Sequence, residues 1–473
     1  MLGRDVDERH VMAGAAQKSA DRAADGASAP DQPGCHRYLT LQTQNDEGRY
    51  AGMAPAKSDL TDTVDRQLEP RGPRGAKVII WWRDVALRAR CGSMDMPAAN
   101  STANGSTMDS PNDKPNPDRP RIVILGAGAV GGYIGGNLAR AGHDVILVDP
   151  WAQHVDHMRR HGLRLEGTSA EECFTTPVRA LHLGELHGLW REKRIDIGII
   201  LLKSYDTPWA AMMLRDLLAP GGFVVTMQNA INEPAIADVV GWPRTVGGIA
   251  NKIVVELVAP GHVRRSIKKG GGGFEVFRIG EVHGRITPRI QRLKDMLADI
   301  DSAKVITNLW GERWSKVVQN AMSNAVSAAC GLPTKTYIEE PLTRRLSIRI
   351  AGEAADIGQR LGYQLEAING QEPSLWIEAW RAAGGQTSDT GALQRAEAIL
   401  LDLASRMVST ARPSMGQDIV KGRRTEIDYL NGMIARQAAD HGLQAPANAA
   451  LTRVVQAIEQ GRTTPGLDAV RAI

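Results

Sequence analysis

Hydrophobic and polar positions divide the chain into three parts. Residues 1–118 show almost no helical or strand periodicity and are rich in Ala, Gly, Ser, Asp and Pro. From residue 119, short apolar runs bounded by glycine and polar residues are typical of buried strands that alternate with helices. Near residue 308 the hydrophobic period becomes helical. We therefore predict a disordered low-complexity extension over 1–118, an α/β domain over 119–307 and an all-helical domain over 308–473.

The apolar runs of the α/β domain predict a largely parallel sheet, with more antiparallel pairing towards its end. The predicted strands are Ile122–Leu125, Val145–Val148, Gly162–Glu166, Thr176–Ala180, Ile195–Leu202, Gly222–Met227, Gly247–Val258 and Glu275–Gly280. In the helical domain the period predicts helices over Gly311–Ala329, Arg344–Gly362, Glu426–His441 and Ala447–Gln460. Residues 365–390 have poor periodicity and are predicted to form a long loop with one short helix.

A glycine motif follows the first predicted strand. Gly126, Gly128 and Gly131 have the spacing G-x-G-x-x-G, with Ala129 and Val130 between the last two. The first glycine permits a tight turn, the second lets a pyrophosphate approach the backbone, and the third allows close packing of helix on strand. The exposed N–H groups of the following helix would then hold the pyrophosphate. This stretch predicts a dinucleotide-binding site of the Rossmann type.

Asp149 ends the second predicted strand, where a carboxylate can accept hydrogen bonds from both ribose hydroxyls. The same carboxylate would repel the 2′-phosphate of NADP, so the residue favours NAD. Asp is also a common helix cap, and a local capping role is the alternative.

Two polar side chains follow neighbouring predicted strands, Lys203 after Ile195–Leu202 and Asn229 after Gly222–Met227. Ligands of open α/β sheets bind beyond the carboxyl ends of the strands, so both residues are candidates for contact with the cofactor. A solvated loop charge and a turn asparagine are the alternatives.

Polar residues also recur on one predicted helix. Lys316, Asn320 and Asn324 are spaced i, i+4 and i+8, which places them on one helical face. Asparagine is a poor helix former, so the presence of two asparagines in one predicted helix requires an explanation. Either the stripe faces a cleft, with Lys316 as a proton donor, or it forms a surface or buried structural network.

Two further polar residues stand in the last informative stretch. Thr425 and Asp428 resemble a capping box, which places Glu426 in the first turn of the predicted helix, where the helix dipole favours an acid. Ser414 is predicted to cap a short segment before it.

Composition excludes several classes of protein. The net charge of +4 over 473 residues gives no reason to expect nucleic acid or membrane partners. The four cysteines lack C-x-x-C spacing, which argues against zinc and disulfides and favours a reducing cytoplasm. No metal site is predicted, and no apolar run approaches the ~18 residues that span a bilayer.

Five motifs in order resemble those of the ketopantoate reductases (2-dehydropantoate 2-reductases). They are the glycine motif, K-S-Y-D-T at 203–207, M-Q-N at 227–229, W-S-K-x-x-x-N-x-x-x-N at 314–324, and S-M-x-Q-D-I at 414–419 followed by G-R-R-T-E-I-D-Y-L-N-G at 422–432. The resemblance covers about 120–460. It implies a Rossmann-type domain followed by an all-α domain similar to the C-terminal domain of 6-phosphogluconate dehydrogenase.

The resemblance also implies roles and partners. Hydride passes from NADPH or NADH to the ketone carbon of a small 2-oxo acid, with ketopantoate, an intermediate of pantothenate biosynthesis, as the expected substrate. The family places the general acid on Lys316, substrate binding on Asn320, Asn324 and Ser414, and substrate holding and orientation of the lysine on Glu426. Lys203 and Asn229 would contact the cofactor. A homodimer is the oligomeric state expected for the protein.

Three features depart from the family pattern. Asn229-Ala230 stands where the family usually has Asn-Gly, Asp149 stands where it commonly has a basic residue for NADP, and the region 365–410 is longer than the usual connection. The alternatives to a ketopantoate reductase are a paralogous NAD-dependent hydroxyacid dehydrogenase and a non-catalytic redox sensor that binds dinucleotide. Retention of Lys316 and Glu426 argues against the sensor.

Overall fold

A largely parallel sheet forms the core of the first part of the computed structural model, which describes residues 119–270, 274–471 and 473. The extension predicted over 1–118 lies outside the described residues. Eight strands pair in the order β12-β11-β8-β7-β6-β1-β2-β5. They are β1 (Arg121–Leu125), β2 (Asp144–Asp149), β5 (Arg179–His182), β6 (Ile195–Ile200), β7 (Leu218–Thr226), β8 (Thr245–Ala250), β11 (Phe277–Glu281) and β12 (Ala303–Val305). Within this sheet, β8 and β11 form the antiparallel pair.

The sheet is buried on both faces, as its continuous apolar runs predict. Along β1, Ile122 and Ile124 pack in one hydrophobic cluster, whereas Val123 and Leu125 pack in a second cluster on the opposite face. All four side chains are 0% exposed. Successive side chains of a strand point to opposite faces, so each face needs its own cover. The helices of this part supply it: α1 (Ala129–Arg140), α2 (Ala152–His161), α3 (Thr207–Arg215), α4 (Glu233–Val240) and α5 (Pro288–Ala298).

Two predicted strands are wrong in extent. The stretch Gly247–Val258 is divided between β8 and β9 (Val255–Ala259), and Thr176–Ala180 between β4 (Phe174–Thr176) and β5. In the first case Lys252 and Val254 have positive φ angles of 47° and 24°, which end the extended conformation. The separated strands join a second sheet, with the order β4-β3-β10-β9, that includes β3 (Leu163–Glu166) and β10 (His262–Arg265).

The second part is helical, as predicted, but has more helix than the hydrophobic period indicates. Its α-helices are α6 (Leu309–Asn320), α7 (Val326–Cys330), α8 (Thr334–Glu339), α9 (Pro341–Arg360), α10 (Pro373–Ala383), α11 (Gly391–Ser405), α12 (Ser414–Val420), α13 (Asn431–Asp440), α14 (Pro446–Glu459) and α15 (Leu467–Val470). A fold with a Rossmann-type part followed by a helical part is therefore confirmed.

The prediction of one helix between loops over 365–390 agrees with the structure, but the helix, α10, is longer than the short helix expected. α10 and α11 occupy most of the region 365–410, and the Trp376 side chain is 0% exposed, with its indole N–H donating to the Ile368 carbonyl at 3.0 Å. A Cβ on Gly352 of α9 would lie 2.2 Å from the Cβ of Trp380, so glycine is required for the close approach of α9 and α10. Both helices contribute side chains to the core of the helical part.

Two predictions about helix boundaries are also corrected. The helix expected from Glu426 begins at Asn431, after a 3₁₀ turn over Ile427–Tyr429. The Thr425 hydroxyl accepts from the Ile427 N–H at 3.2 Å, so the local bond closes a turn before the helix. Ser414 is the first residue of α12 and makes no cap, because Pro413 occupies the N-cap position.

Among the described residues, no helix is both long and apolar enough to cross a membrane. Cys173 is exposed and Cys330 is buried, and both are free thiols. The other two cysteines of the sequence, Cys35 and Cys91, lie outside the described residues.

Candidate active site

The glycine turn has the geometry that a pyrophosphate requires. Gly126 has a φ of +99°, and a Cβ there would lie 2.9 Å from the backbone of Leu201 and Leu202. A Cβ on Gly131 would lie 1.9 Å from the Gly126 carbonyl oxygen, whereas a Cβ on Gly128 would meet no atom within 4 Å. α1 begins at Ala129 without a side-chain cap, so its first N–H groups, including that of Val130, are available to an anion. These residues fit a dinucleotide.

Asp149 lies at the carboxyl end of β2, beside this turn. It is 8% exposed, and its Oδ1 accepts from the Trp151 backbone N–H at 2.8 Å. Burial raises the pKa of the Asp149 carboxyl, and the Trp151 N–H opposes that shift. This bond is not a cap of α2, because Trp151 is the N-cap residue and has no side-chain cap, so the predicted capping role of Asp149 is not seen. The Ala127 N–H also stabilises the Asp149 carboxylate.

Lys203 joins the two parts of the chain. Its Nζ lies 2.5 Å from Asp418 Oδ2, 3.4 Å from Ser414 Oγ and 3.5 Å from Glu426 Oε2. Burial opposes the charge of this lysine, but the Glu426 and Asp418 carboxylates outweigh it and raise the Lys203 pKa. Lys203 therefore contacts the residues predicted to bind substrate, and its predicted contact with the cofactor stays a prediction.

Glu426 is held by the loop that follows β6. Its Oε1 accepts from the Ser204 N–H at 3.0 Å and from the Ser204 hydroxyl at 2.7 Å, and the residue is 6% exposed. The expected orientation of Lys316 by Glu426 is not seen. Among the described residues, the lysine beside this carboxylate is Lys203, and the Lys316 ammonium donates instead to Asn251 Oδ1 at 3.4 Å. Among the described residues, no hydrogen bond links Glu426 to Lys316, so Glu426 does not orient this lysine by direct contact.

Asn229 of the Rossmann-type part and Asn320 of the helical part are in contact, and the junction of the two parts around them is called the cleft below. The Asn320 Nδ2 donates to Asn229 Oδ1 at 3.1 Å, so the predicted cofactor residue and the predicted substrate residue are in direct contact. Asn324 is 7% exposed, and its side-chain amide makes no hydrogen bond to another of the described residues. Its amide atoms are not among the buried polar atoms that lack a partner, so they remain accessible, which makes Asn324 a candidate to bind a ligand.

The helix that carries these residues is interrupted. α6 ends at Asn320, a π-helical segment covers Ala321–Ala325, and α7 follows. Single π-turns are rare and occur mostly at functional sites, and their wider turn alters the face on which the next side chain lies. The continuous α-helix predicted over Gly311–Ala329 is therefore corrected at the point where Asn324 projects.

Lys316 has an unusual charge environment. Part of its side chain is accessible, but protein atoms surround the ammonium closely, and this burial lowers the Lys316 pKa to about 8. The cations Arg278 and Lys252 contribute further to the decrease. A lysine with a pKa near neutrality can give up a proton at physiological pH, which is the property of a general acid.

A buried ion pair positions the loop that carries Asn229. Arg313 of α6 donates from Nε to Glu233 Oε1 at 2.6 Å, from Nη1 to the Gln228 carbonyl at 2.7 Å and from Nη2 to the Thr226 carbonyl at 2.9 Å. Arg313 is 1% and Glu233 0% exposed. The helical part therefore fixes the end of β7 directly.

Ala230 occupies the position where the family usually has glycine. Its φ is +66°, in the left-handed region, and the residue is 2% exposed. This conformation costs a non-glycine residue about 1–2 kcal/mol. Ala230, which departs from the family pattern, is therefore a strained residue next to Asn229.

We expect Ala230→Gly to change the free energy of unfolding by less than about 1 kcal/mol. The strain that glycine relieves is offset by its greater freedom in the unfolded chain and by loss of a buried methyl group. Ala230→Val should instead lose roughly 2–3 kcal/mol, because a β-branched residue is disfavoured at positive φ and overfills the core. Urea denaturation of both variants measures the difference, and equal midpoints would contradict it.

Three polar residues of the site were not predicted from the sequence: Ser204, Asn251 and Asp418. Ser204 and Asp418 stand inside motifs quoted for the family resemblance, which is the signal that could have identified them. Asn251 follows β8, at the same sheet edge as the other strand-end residues, and the strand-end argument applied to Lys203 extends to it.

The fold and the cleft define the class of the protein. A Rossmann-type sheet with a glycine turn, followed by a helical part that brings a lysine of lowered pKa to the edge of that sheet, is the architecture of a nicotinamide-dinucleotide oxidoreductase. Two sequence models of one family match the chain: "Ketopantoate reductase PanE/ApbA" over residues 122–275 and "Ketopantoate reductase PanE/ApbA C terminal" over residues 308–459. The chain belongs to the ketopantoate reductase family.

Individual relatives agree with this assignment. The 2-dehydropantoate 2-reductase of Archaeoglobus fulgidus is 26% identical over 347 residues, covering 72% of this chain and 98% of the relative. That of Pyrococcus abyssi is 28% identical over 351 residues, with coverage of 72% and 98%. A crystal structure of a PanE/ApbA family ketopantoate reductase from Ralstonia eutropha has 27% identity and a TM-score of 0.57, covering 72% of this chain and 99% of that one.

Proposed function

We propose that the protein reduces ketopantoate to pantoate with a reduced nicotinamide dinucleotide. The observation that carries the proposal is Lys316, whose pKa is lowered to about 8 at the edge of the cleft where Asn320 contacts Asn229. The cofactor, when bound, supplies a hydride to the ketone carbon. Reduction also needs one proton on the ketone oxygen, and Lys316 is the group proposed to donate it.

The remaining polar residues are proposed to bind and orient the substrate. The Asn324 amide, which makes no hydrogen bond among the described residues, is free to bind the 2-oxo acid, and Ser414 and Asn320 lie on the same cleft. Lys203, Glu426 and Asp418 form a charged group that Ser414 adjoins. As the ketone becomes an alkoxide, the Lys316 ammonium stabilises the growing negative charge before the proton moves.

We infer that the cofactor is NADH rather than NADPH. Asp149 lies beside the glycine turn, and its carboxylate, which accepts from the Trp151 N–H at 2.8 Å, is proposed to accept from the ribose hydroxyls as well. A negative carboxylate at this position repels a 2′-phosphate.

Asp149→Ser is expected to lower the preference for NADH over NADPH by at least about tenfold, because the like-charge repulsion is removed while a hydroxyl still reaches the ribose. The ratio of kcat/KM for the two cofactors measures the change. Asp238→Asn, at an exposed aspartate of α4, is the matched control and should leave the ratio unchanged. An unaltered ratio in Asp149→Ser would show that the carboxylate does not choose the cofactor.

The rate of reduction should depend on pH through Lys316. The lysine donates its proton only in the ammonium form, which predominates below its pKa of about 8. We therefore expect kcat/KM for reduction to be level below this pH and to fall tenfold per pH unit above it, whereas oxidation of the hydroxy acid should rise. A pH profile of both directions measures this. A profile for reduction that stays level to pH 10 would contradict the assignment.

The direct experiment is oxidation of NADH and NADPH by the purified protein with ketopantoate as the second substrate. Efficient turnover supports the proposal. Binding of cofactor without turnover of ketopantoate would reject the pantoate assignment and favour the second candidate, an NAD-dependent hydroxyacid dehydrogenase, for which a panel of other 2-oxo acids is then the test. Asp149 is the observation that favours that candidate, because it departs from the usual family residue.

We propose, as the sequence predicts, that residues 119–307 bind the cofactor and that residues 308–473 supply Lys316 and the residues that bind the substrate. A homodimer in the cytoplasm remains the proposed state of the protein, and sedimentation velocity measures the assembly.

A further inference from the structure

A tryptophan follows the ribose-binding aspartate at the edge of the sheet. Trp151 lies two residues after Asp149 and is 40% exposed. Its backbone N–H donates to Asp149 Oδ1 at 2.8 Å, so the Trp151 backbone is anchored to the carboxylate. Trp151 is also the N-cap residue of α2 and makes no side-chain cap. Polar residues are strongly preferred at an N-cap, so a large exposed ring there needs another reason.

The indole rests on a rigid support. The Trp151 and His154 rings are stacked, with centroids 5.6 Å apart and planes 20° apart. His154 is 0% exposed, its Nδ1 accepts from the Gly261 N–H at 2.8 Å, and its Nε2 lies 2.9 Å from the Ala127 carbonyl oxygen. Because Nδ1 is the acceptor, Nε2 carries the hydrogen and donates to Ala127, inside the glycine turn.

This support connects two parts of the expected cofactor site. Ala127 belongs to the turn whose neighbouring N–H groups fit the pyrophosphate, and Asp149 carries the carboxylate that fits the ribose. The adenine ring is attached to that ribose, so it lies within reach of the residues next to Asp149. Among the described residues His154 is the ring that Trp151 stacks on, and a substantial part of the indole remains accessible.

We propose that Trp151 is the platform on which the adenine ring of the dinucleotide stacks. A purine stacks well on an indole face, and His154 holds that face in place before the cofactor arrives, so little ordering is required on binding. Trp151 is thus a binding residue that recognises the adenosine half of the cofactor and not its reactive half. The inference rests on the proposed dinucleotide binding.

Three ligands distinguish an adenine platform from a general structural role. NADH contains both halves of the cofactor, ADP-ribose contains the adenosine half, and reduced nicotinamide mononucleotide lacks adenosine. We expect Trp151→Ala to weaken NADH and ADP-ribose by about tenfold. It should leave the dissociation constant of reduced nicotinamide mononucleotide and kcat at saturating NADH unchanged. Isothermal titration calorimetry on the full chain measures all three ligands.

Two further variants complete the experiment. Trp151→Phe keeps an aromatic face and should recover most of the affinity for ADP-ribose. Trp242→Ala removes a tryptophan of similar exposure, 47%, which precedes β8 and so lies at the amino-end edge of the sheet, away from the strand ends that bind ligand. This control should bind all three ligands as the wild type does.

Intrinsic fluorescence gives an independent readout. The chain has ten tryptophans, and stacking of adenine on one of them quenches part of the emission when ADP-ribose binds. We expect this quenching to disappear in Trp151→Ala and to remain in Trp242→Ala.

Several results would overturn the proposal. One is wild-type affinity for ADP-ribose in Trp151→Ala, and another is an equal loss for reduced nicotinamide mononucleotide, which would assign the effect to altered folding of the turn. Wild-type protein that binds neither NADH nor ADP-ribose would refute dinucleotide binding as well. These outcomes separate failure of the platform from failure of the proposed function.

Discussion

Lys316→Ala is expected to lower kcat for 2-oxo acid reduction by about 10³-fold while the dissociation constant of NADH stays unchanged. Proton donation by a positioned side chain contributes about 10²–10⁴-fold to a rate, and Lys316 is also proposed to stabilise the oxygen on which charge develops. Stopped-flow measurement of cofactor oxidation gives kcat, and calorimetry gives the affinity. Retained binding matters, because it separates loss of chemistry from loss of the fold.

Two control variants sharpen this result. Lys316→Met keeps the length of the side chain and removes a charge that burial disfavours, so it should be at least as stable as the wild type and equally inactive. Lys294→Ala, on the surface of α5, should have wild-type kcat. Turnover of Lys316→Met within tenfold of the wild type would refute the role of Lys316 as proton donor.

Glu426→Gln is expected to lower kcat/KM for the 2-oxo acid by about 10²-fold and to leave the affinity for NADH almost unchanged. Glutamine retains an oxygen for the Ser204 N–H and hydroxyl, which lie 3.0 and 2.7 Å from Glu426 Oε1. It replaces the charged Oε2 with an amide group that cannot pair with the Lys203 ammonium 3.5 Å away. Removing one member of a desolvated charge pair costs about 2–5 kcal/mol. We expect part of this cost to appear as the decrease in kcat/KM for the 2-oxo acid.

A double-mutant cycle tests whether Glu426 acts with Lys203. If the two residues work as a pair, Lys203→Met should cost little more in the Glu426→Gln background than Glu426→Gln costs by itself. Independent effects on kcat/KM would show that the ion pair is not the functional unit. Glu378→Gln, at an exposed position of α10, serves as the control for loss of a glutamate charge.

The sequence predicted those site residues whose position follows from a local rule. Lys203 and Asn229 each follow a buried parallel strand, and the carboxyl ends of neighbouring parallel strands meet at one sheet edge. Asp149 and the glycine turn follow the same rule, with the spacing of the glycines as a second signal. For these residues the fold class was sufficient to place them together.

Other parts of the site depend on contacts between distant residues. The Lys203–Asp418 pair joins positions 215 residues apart, and no hydrophobic period reports such a contact. The π-helical segment at Asn324 has no local sequence signal, because the i+4 spacing of polar residues is the same for a regular helix. The helix content of the region 365–410 was underestimated. Trp376 and Trp380 pack inward against α9, and this hides the amphipathic pattern that a surface helix shows.

The buried Arg313–Glu233 pair makes the two parts of the chain interdependent. Without α6, the Glu233 carboxylate, which is 0% exposed, would be a charge in the interior with no counterion, and the Gln228 carbonyl would lose its donor. The Rossmann-type part is therefore not a module that can be excised or transplanted. A chimera that takes its helical half from a relative must bring an arginine at the position of Arg313, and recombination between family members is permitted only where that residue and its acid are inherited together.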